Sequence, residues 1–390
     1  MTDRQLWNRD VMIIWAGRAV TGWLAGVMVL ALAAPPAGAA APTRLPTKIQ
    51  RALDGVVAAG SPGAIVLVRD HQTTIRLASG NSRLDPIEPM RPGLPSRIGG
   101  LTKSFTATVV LQLVAEDRLA LNDTVERRLP GIIPNGADVT IRQLLNHTSG
   151  IYDYANDPRT LAPYYAGDYT RVFDPRDGIR YAAEHGPLFP PGTALAYSNT
   201  NYLLLAMIVE SVTGRSFGGE LRRRLFVPLR LDHTSYPASS EIVGPHVHGY
   251  LVEDPPPVDI TALSPTLYGA AGAMLSNADD VARFYRALLR GKLLPARLLA
   301  EMKKIDHVAT GGIPDAGILG GGWGLGLLRE HFPCGPAWGH DSETPGYTTA
   351  AWNSADAGRQ VTVIVNSNFG HDAPVNRAVR KLLITAYCGG

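Results

Sequence analysis

Concentrated positive charge is missing from this 390-residue chain: its longest basic block is Arg222-Arg223-Arg224, and the formal net charge is only +3. A nucleic-acid groove needs a clustered basic footprint, so nucleic-acid binding is not expected, and the triplet reads as a solvated helix face. Long apolar runs are also missing. The stretch at residues 22–34 has 13 residues, short of the ~20 that cross a bilayer, Arg18 stops its extension toward residues 11–15, and no second candidate span follows. Metal-ligand spacing is absent too. H-E-x-x-H does not occur, and His246 and His248, with His233 upstream, have no carboxylate at helical or hairpin spacing, so neither metal nor cofactor is expected. Cysteine is scarce, with only Cys334 and Cys388.

What is present is ordinary globular material, 45% hydrophobic and 18% charged, with a length near that at which one core divides into domains. The N-terminus reads as a secretory signal. Arg4, Arg9 and Arg18 precede the apolar run, and Ala37-Gly38-Ala39 fits the small-residue rule for cleavage. Residues 1–39 are therefore expected to be removed, leaving a secreted, extracellular protein. No cysteine follows the run to carry a lipid, so no stable membrane anchor is expected. An even cysteine count in an oxidising compartment favours a Cys334–Cys388 disulfide, worth roughly 4 kcal/mol in the chain-entropy model. Two unrelated buried thiols are the alternative.

Apolar residues at Ile49, Leu53, Val56 and Val57 predict a helix over 48–60, ended by Ser61-Pro62-Gly63. Residues 64–68 and 73–78 predict a hairpin turning at 70–72. Phe105, Val109 and Leu113 put an apolar stripe on a helix over 101–116. Residues 117–264 are richer in Pro, Asp and Tyr, with one strongly apolar helix at 202–212. Strands return at 348–353 and 360–366 around a turn at 354–358, and Val375, Val379, Leu382 and Leu383 mark a last amphipathic helix. These patterns give an α/β fold of the α+β sandwich kind. Its antiparallel sheet, from residues 40–116 and 265–390, is flanked by helices, and an all-helical domain, 117–264, is inserted.

Three short motifs carry chemistry. In Gly100-Leu101-Thr102-Lys103, positions three apart share a helix face, so Lys103 lies beside position 100. A lysine there can take a nucleophile's proton, and a helix N-terminus favours developing negative charge. The second motif is Tyr197-Ser198-Asn199, and the third is His340-Asp341-Ser342-Glu343. Together they resemble the S-x-x-K, Y-x-N and H-x-G boxes of the penicillin-recognising serine hydrolases, the D-alanyl-D-alanine carboxypeptidases and class C β-lactamases. The segments 139–154 and 322–326 are similar to that family as well, and the resemblance covers about 45–388. It implies a β-lactamase/transpeptidase-like fold and acyl transfer on D-alanyl-D-alanine peptides or β-lactams by a monomer. Lys103 would be the base, Tyr197 a proton relay, and Asn199 a partner for the substrate amide. His340 would add polar or positive character, with Asp341 and Ser342 beside the substrate. The N–H groups of Gly100 and Glu343 would form the oxyanion hole. Tyr152 and Trp323 are expected to line the site or fill the core.

Two positions depart from the family pattern. Gly100 stands where the nucleophilic serine belongs, so the acyl-enzyme cannot form there, and Ser342 replaces a glycine beside the substrate strand. Ser104 lies about 100° round the helix from Lys103, Ser96 precedes the helix by too far to substitute, and Ser342 is near the site but would need a base aimed at it. Loss of such a serine costs on the order of a million-fold in turnover. Gly214-Arg215-Ser216-Phe217-Gly218 imitates a nucleophile elbow but follows a helix rather than a strand, so it reads as a C-cap and a new helix start. His147 reads as a structural residue. The functions in contention are a family hydrolase that needs serine at 100, a non-catalytic module binding a peptide or β-lactam, and an esterase or amidase on the same fold. The sequence favours the carboxypeptidase-like fold with an acylation-defective site.

Overall fold

The two ends of the chain meet in one antiparallel sheet. The computed structural model describes residues 44–252, 256–305, 307–308, 321–368 and 373–389, so the signal segment lies outside the described residues. Residues 42–390 form one compact unit. Helix α1 (Arg44–Ala58) starts four residues before the expected span and buries Ile49, Leu53 and Val56. Strands β1 (Gly63–Asp70) and β2 (Thr73–Leu84) form the expected hairpin. Its turn places His71 at φ 48°, a left-handed conformation that costs non-glycine residues.

The remaining strands of the nine-stranded sheet are β3 (Ile87–Pro89), β4 (His307–Val308), β5 (Gly322–Trp323), β6 (Leu328–Phe332), β7 (Gly335–Thr344), β8 (Tyr347–Asn353) and β9 (Arg359–Val365). Their spatial order is β3-β2-β1-β9-β8-β7-β6-β5-β4. Residues from the start and end of the chain therefore pair at its centre, with Ala64 opposite Val365 and Val68 opposite Val361. Ala64, Val66 and Val68 face one apolar cluster, which also holds α1 and α5 (Pro374–Cys388). Ile65 and Leu67 face another, with Tyr347 and Ile364. A strand covered on both faces reads as an unbroken apolar run, as 64–68 does.

Helix α2 (Thr102–Ala115) continues from a 3₁₀ turn at Gly99–Leu101. One apolar stripe was expected, yet all but two of its residues are buried. It is enclosed on every side by the largest apolar cluster, which includes α3 (Thr200–Thr213) and α4 (Ala278–Leu289). Its buried hydroxyls find acceptors: Thr108 bonds back to the Ser104 carbonyl at 2.7 Å, and Thr106 lies between the Thr102 carbonyl at 3.1 Å and that of Ala270 at 2.8 Å.

Between 117 and 264 the described residues contribute helices and no strand of the main sheet, but the stretch is not all-helical, because Tyr250–Leu251 and Val258–Asp259 form a short strand pair. Gly214 caps α3 at φ 68°, and the Ser216 hydroxyl accepts the Gly219 N–H at 3.2 Å to start the next helix. The elbow-like pattern is thus two caps in succession. A second expectation needs correction. Asp259 does lie at hairpin spacing from the His246/His248 pair, because Tyr250–Leu251 and Val258–Asp259 pair antiparallel. Its carboxylate bonds His248 Nδ1 at 2.8 Å. Among the described residues no group of three or more His, Cys, Asp or Glu is placed to hold a metal ion, and no helix is long and apolar enough to cross a membrane.

Cys334, in the turn between β6 and β7, is bonded to Cys388 at the end of α5, with Cα atoms 5.5 Å apart. The bond ties the C-terminal helix to the strand that carries His340.

Candidate active site

Position 100 sits in the 3₁₀ turn that launches α2, packed against β7. Helical spacing brings Lys103 one turn inward, where its ammonium is buried. Nζ donates to Asn199 Oδ1 at 2.9 Å and to the Ala271 carbonyl at 2.9 Å. It also lies 4.8 Å from the Tyr197 ring centre and 5.5 Å from that of Tyr202. A buried ammonium needs such acceptors and ring faces to offset its lost hydration.

The 197–199 loop leads directly into α3, and Asn199 is its hub. Asn199 Oδ1 accepts from both Lys103 and the Tyr197 hydroxyl, the latter at 3.0 Å, while Nδ2 donates to Asp153 Oδ2 at 2.9 Å. Asp153 thereby fixes which end of the amide faces Lys103. Burial raises the Asp153 carboxyl to about 6, against the opposing pull of the Ala155 N–H, Lys103 and Asn199. Tyr152 lies alongside. Its ring stacks on His185 at 3.9 Å, and its carbonyl accepts from Thr200 Oγ1 at 2.7 Å, which ties its backbone to the start of α3.

From the sheet side, β7 contributes His340 and Ser342, two apart and therefore on one face. The His340 ring donates from Nδ1 to the Asp341 carbonyl at 2.5 Å. In the neutral ring Nε2 is then a bare acceptor, buried with no protein partner among the described residues. Burial, reinforced by the nearby Lys103 charge, lowers His340 to about 3, so the ring is neutral at pH 7. The expected positive character is accordingly absent, and what His340 offers is polarity. Ser342 Oγ accepts the Gly100 N–H at 2.7 Å, and Glu343 follows as an exposed residue. Trp323, fully buried on β5, is the floor: its ring meets His147 at 4.8 Å, Tyr197 at 5.6 Å and His340 at 5.7 Å.

The fold thus gathers Gly100, Lys103, Tyr197, Asn199, His340 and Ser342 around one point, with Trp323 beneath and Tyr152 beside. Cys334 and Cys388 lie apart. The alternative serines point elsewhere. Ser104 Oγ donates to the Gly326 carbonyl at 2.8 Å and accepts from Tyr285, and Ser96 Oγ is turned onto the Arg97 carbonyl.

Sequence reasoning missed Asp153, the Ala271 carbonyl and the packing of His147. Asp153 lies in a segment noted for its resemblance, but no spacing links 153 to 199. A backbone carbonyl carries no sequence signal at all. His147, taken as structural, stacks on Tyr197 at 4.7 Å and accepts the Ser198 N–H on Nδ1 at 3.1 Å. Burial, then the Lys103 charge, hold it well below the ordinary histidine range.

This chain belongs to the beta-lactamase family of serine hydrolases, whose family model matches residues 49–385. It is 33% identical to penicillin-binding protein 4 of Amycolatopsis lactamdurans over 265 residues, 64% of this chain and 66% of that protein. The match therefore spans about two thirds of that curated relative. Among solved structures, a D-stereospecific amidohydrolase from Streptomyces sp. superposes with a TM-score of 0.79 at 34% identity, covering 88% of this chain and 99% of that one. The D-amino acid amidase from Ochrobactrum anthropi SV3, complexed with D-phenylalanine, does so at 0.78 and 27% identity, covering 89% and 100%.

Proposed function

We propose that this protein is an exported, monomeric, non-acylating member of the family. In this reading it binds D-configured acyl amides, such as D-alanyl-D-alanine-type peptides, D-amino-acid amides and β-lactams, without forming a covalent intermediate. One observation carries the reading: the residue three before Lys103, at the head of α2, is a glycine. Covalent acyl transfer needs a side-chain nucleophile within reach of its base; the hydroxyls of Ser96 and Ser104 are turned onto other partners, and that of Ser342 is held on the Gly100 N–H.

The retained Lys103–Asn199–Tyr197 network supports ligand binding, since polar groups held in fixed positions orient an amide without further cost. The ligand chemistry is carried over from the solved relatives, one a D-stereospecific amidohydrolase and the other complexed with D-phenylalanine. Export is supported by the Cys334–Cys388 bond, because disulfides persist chiefly outside the reducing cytosol.

The test is intact-mass spectrometry after incubation with a penicillin, beside calorimetric titration with a D-alanyl-D-alanine peptide and with D-phenylalanine amide. Unchanged mass together with measurable heat is the expected result. A penicilloyl adduct on the unaltered protein sinks the non-acylating reading. Absence of heat with either ligand at millimolar concentration sinks the binding reading.

A further inference from the structure

The Gly100 N–H belongs to the first turn of a helical segment, where backbone donors have no partner within the helix. Such a donor is a ready site for a carbonyl oxygen or an oxyanion. Here it is taken, because Ser342 Oγ accepts it at 2.7 Å from the adjacent strand. A backbone N–H carries one hydrogen, so a ligand oxygen can reach it only by displacing that hydroxyl.

The same side chain fills the space around both glycines. A Cβ built on Gly99 would lie 2.3 Å from Ser342 Oγ and 2.9 Å from Thr344 Cγ2. One on Gly100 would lie 3.3 Å from Ser342 Cβ, 3.2 Å from His340 Cε1 and 3.3 Å from the Asp341 carbonyl oxygen. At those distances the neighbours must yield by a few tenths of an ångström to admit a new Cβ, and of the three the Asp341 carbonyl, being backbone, yields least. Gly99, with φ at 49°, also occupies backbone space that side chains rarely adopt.

We infer that Ser342 is an internal occupant of the donor site at Gly100, and that Gly99, Gly100 and Ser342 are one fitted unit. Ligands at this site compete with the Ser342 hydroxyl. Returning a serine to position 100 does not by itself rebuild an acylating site, because the donor stays blocked and the pocket crowded. The second change needed is at 342. This rests on the proposed reading of the site and specifies what controls its affinity.

The experiment compares the parent, Ser342→Ala, Gly100→Ser and Gly100→Ser/Ser342→Gly, each checked for folding by thermal melting. Ser342→Ala keeps Cβ and removes only the acceptor. Its affinity for a penicillin and for D-phenylalanine amide is expected to rise about fivefold, the worth of one exchanged hydrogen bond. The double variant is expected to form penicilloyl adduct at least about tenfold faster than Gly100→Ser. Independently of any ligand, the Gly100 amide proton is expected to exchange about tenfold faster in Ser342→Ala than in the parent, once the bond is gone.

Unaltered exchange in Ser342→Ala overturns the inference even if no ligand binds, so it can be judged when the proposed function itself fails. An unchanged ligand affinity in that variant overturns it as well. Gly100→Ser acylating as fast as the double variant overturns the coupling of the two positions. An adduct on the parent leaves the exchange result standing and removes only the non-acylating reading.

Discussion

Acid titration should separate two buried groups of opposite effect. His340 is lowered from 6.5 to about 3 by burial and by Lys103. As pH falls below 6.5, the unfolded chain binds a proton that the folded chain refuses, so stability drops until about pH 3. The full effect is roughly 5 kcal/mol, of which about 3 kcal/mol is lost between pH 7 and pH 4. Asp153 works the other way. Its carboxyl is raised from 3.8 to about 6, first by burial. The folded state therefore takes up its proton earlier than the unfolded state, and acidification from pH 7 to pH 4 returns about 2 kcal/mol. His147, also lowered by burial, adds to the histidine side. Urea unfolding of the parent, His340→Gln and Asp153→Asn at pH 7, 5.5 and 4 tests this. Effects of other carboxylates, such as Asp157, held low by its hydrogen bond to Arg159, are common to all three proteins and cancel in the differences. Relative to the parent, His340→Gln should gain about 3 kcal/mol on going from pH 7 to pH 4, and Asp153→Asn should lose about 2 kcal/mol. If the three curves run parallel within about 0.5 kcal/mol, these groups are not desolvated as the structure places them.

Reduction, or replacement of Cys334 and Cys388 by serine, should cost about 4 kcal/mol, since the bond closes a loop of sequence separation 54. Denaturant midpoints with and without reductant measure it, and a change under about 1 kcal/mol would remove the disulfide from the stability argument. Helix α5 should stay docked after reduction, because Val375, Val379, Leu382, Leu383 and Tyr387 remain buried, and unchanged hydrogen-exchange protection of its amides would show it. Gly99→Ala should destabilise by roughly 2 kcal/mol, from a left-handed backbone and a methyl driven 2.3 Å from Ser342 Oγ. A melting temperature equal to the parent's would refute the fitted packing at that turn.

The sequence alone determined the periodic elements and the spacing of the three motifs, because both are local. An apolar stripe at Ile49, Leu53 and Val56 has one face to bury, and residues three apart on a helix share a side whatever surrounds them. The glycine at 100 was equally legible, since a missing side chain needs no structure to be noticed. Helix α2 was less so: its hydroxyl residues look exposed in sequence but are buried because the neighbouring helices enclose it and Thr106 and Thr108 bond their own backbone. The His248–Asp259 contact was missed because the short strands that align the pair carry no pattern. Only the tertiary structure could join Asp153 to Asn199, 46 positions apart, or neutralise His340 by burial beneath a lysine's charge. The bond from Gly100 to Ser342 spans 242 positions and exists because β7 lies against the start of α2. Local pattern sets which face each element offers, but desolvation and hydrogen-bond partners depend on what is packed against that face, and the packing is settled only when the chain closes on itself.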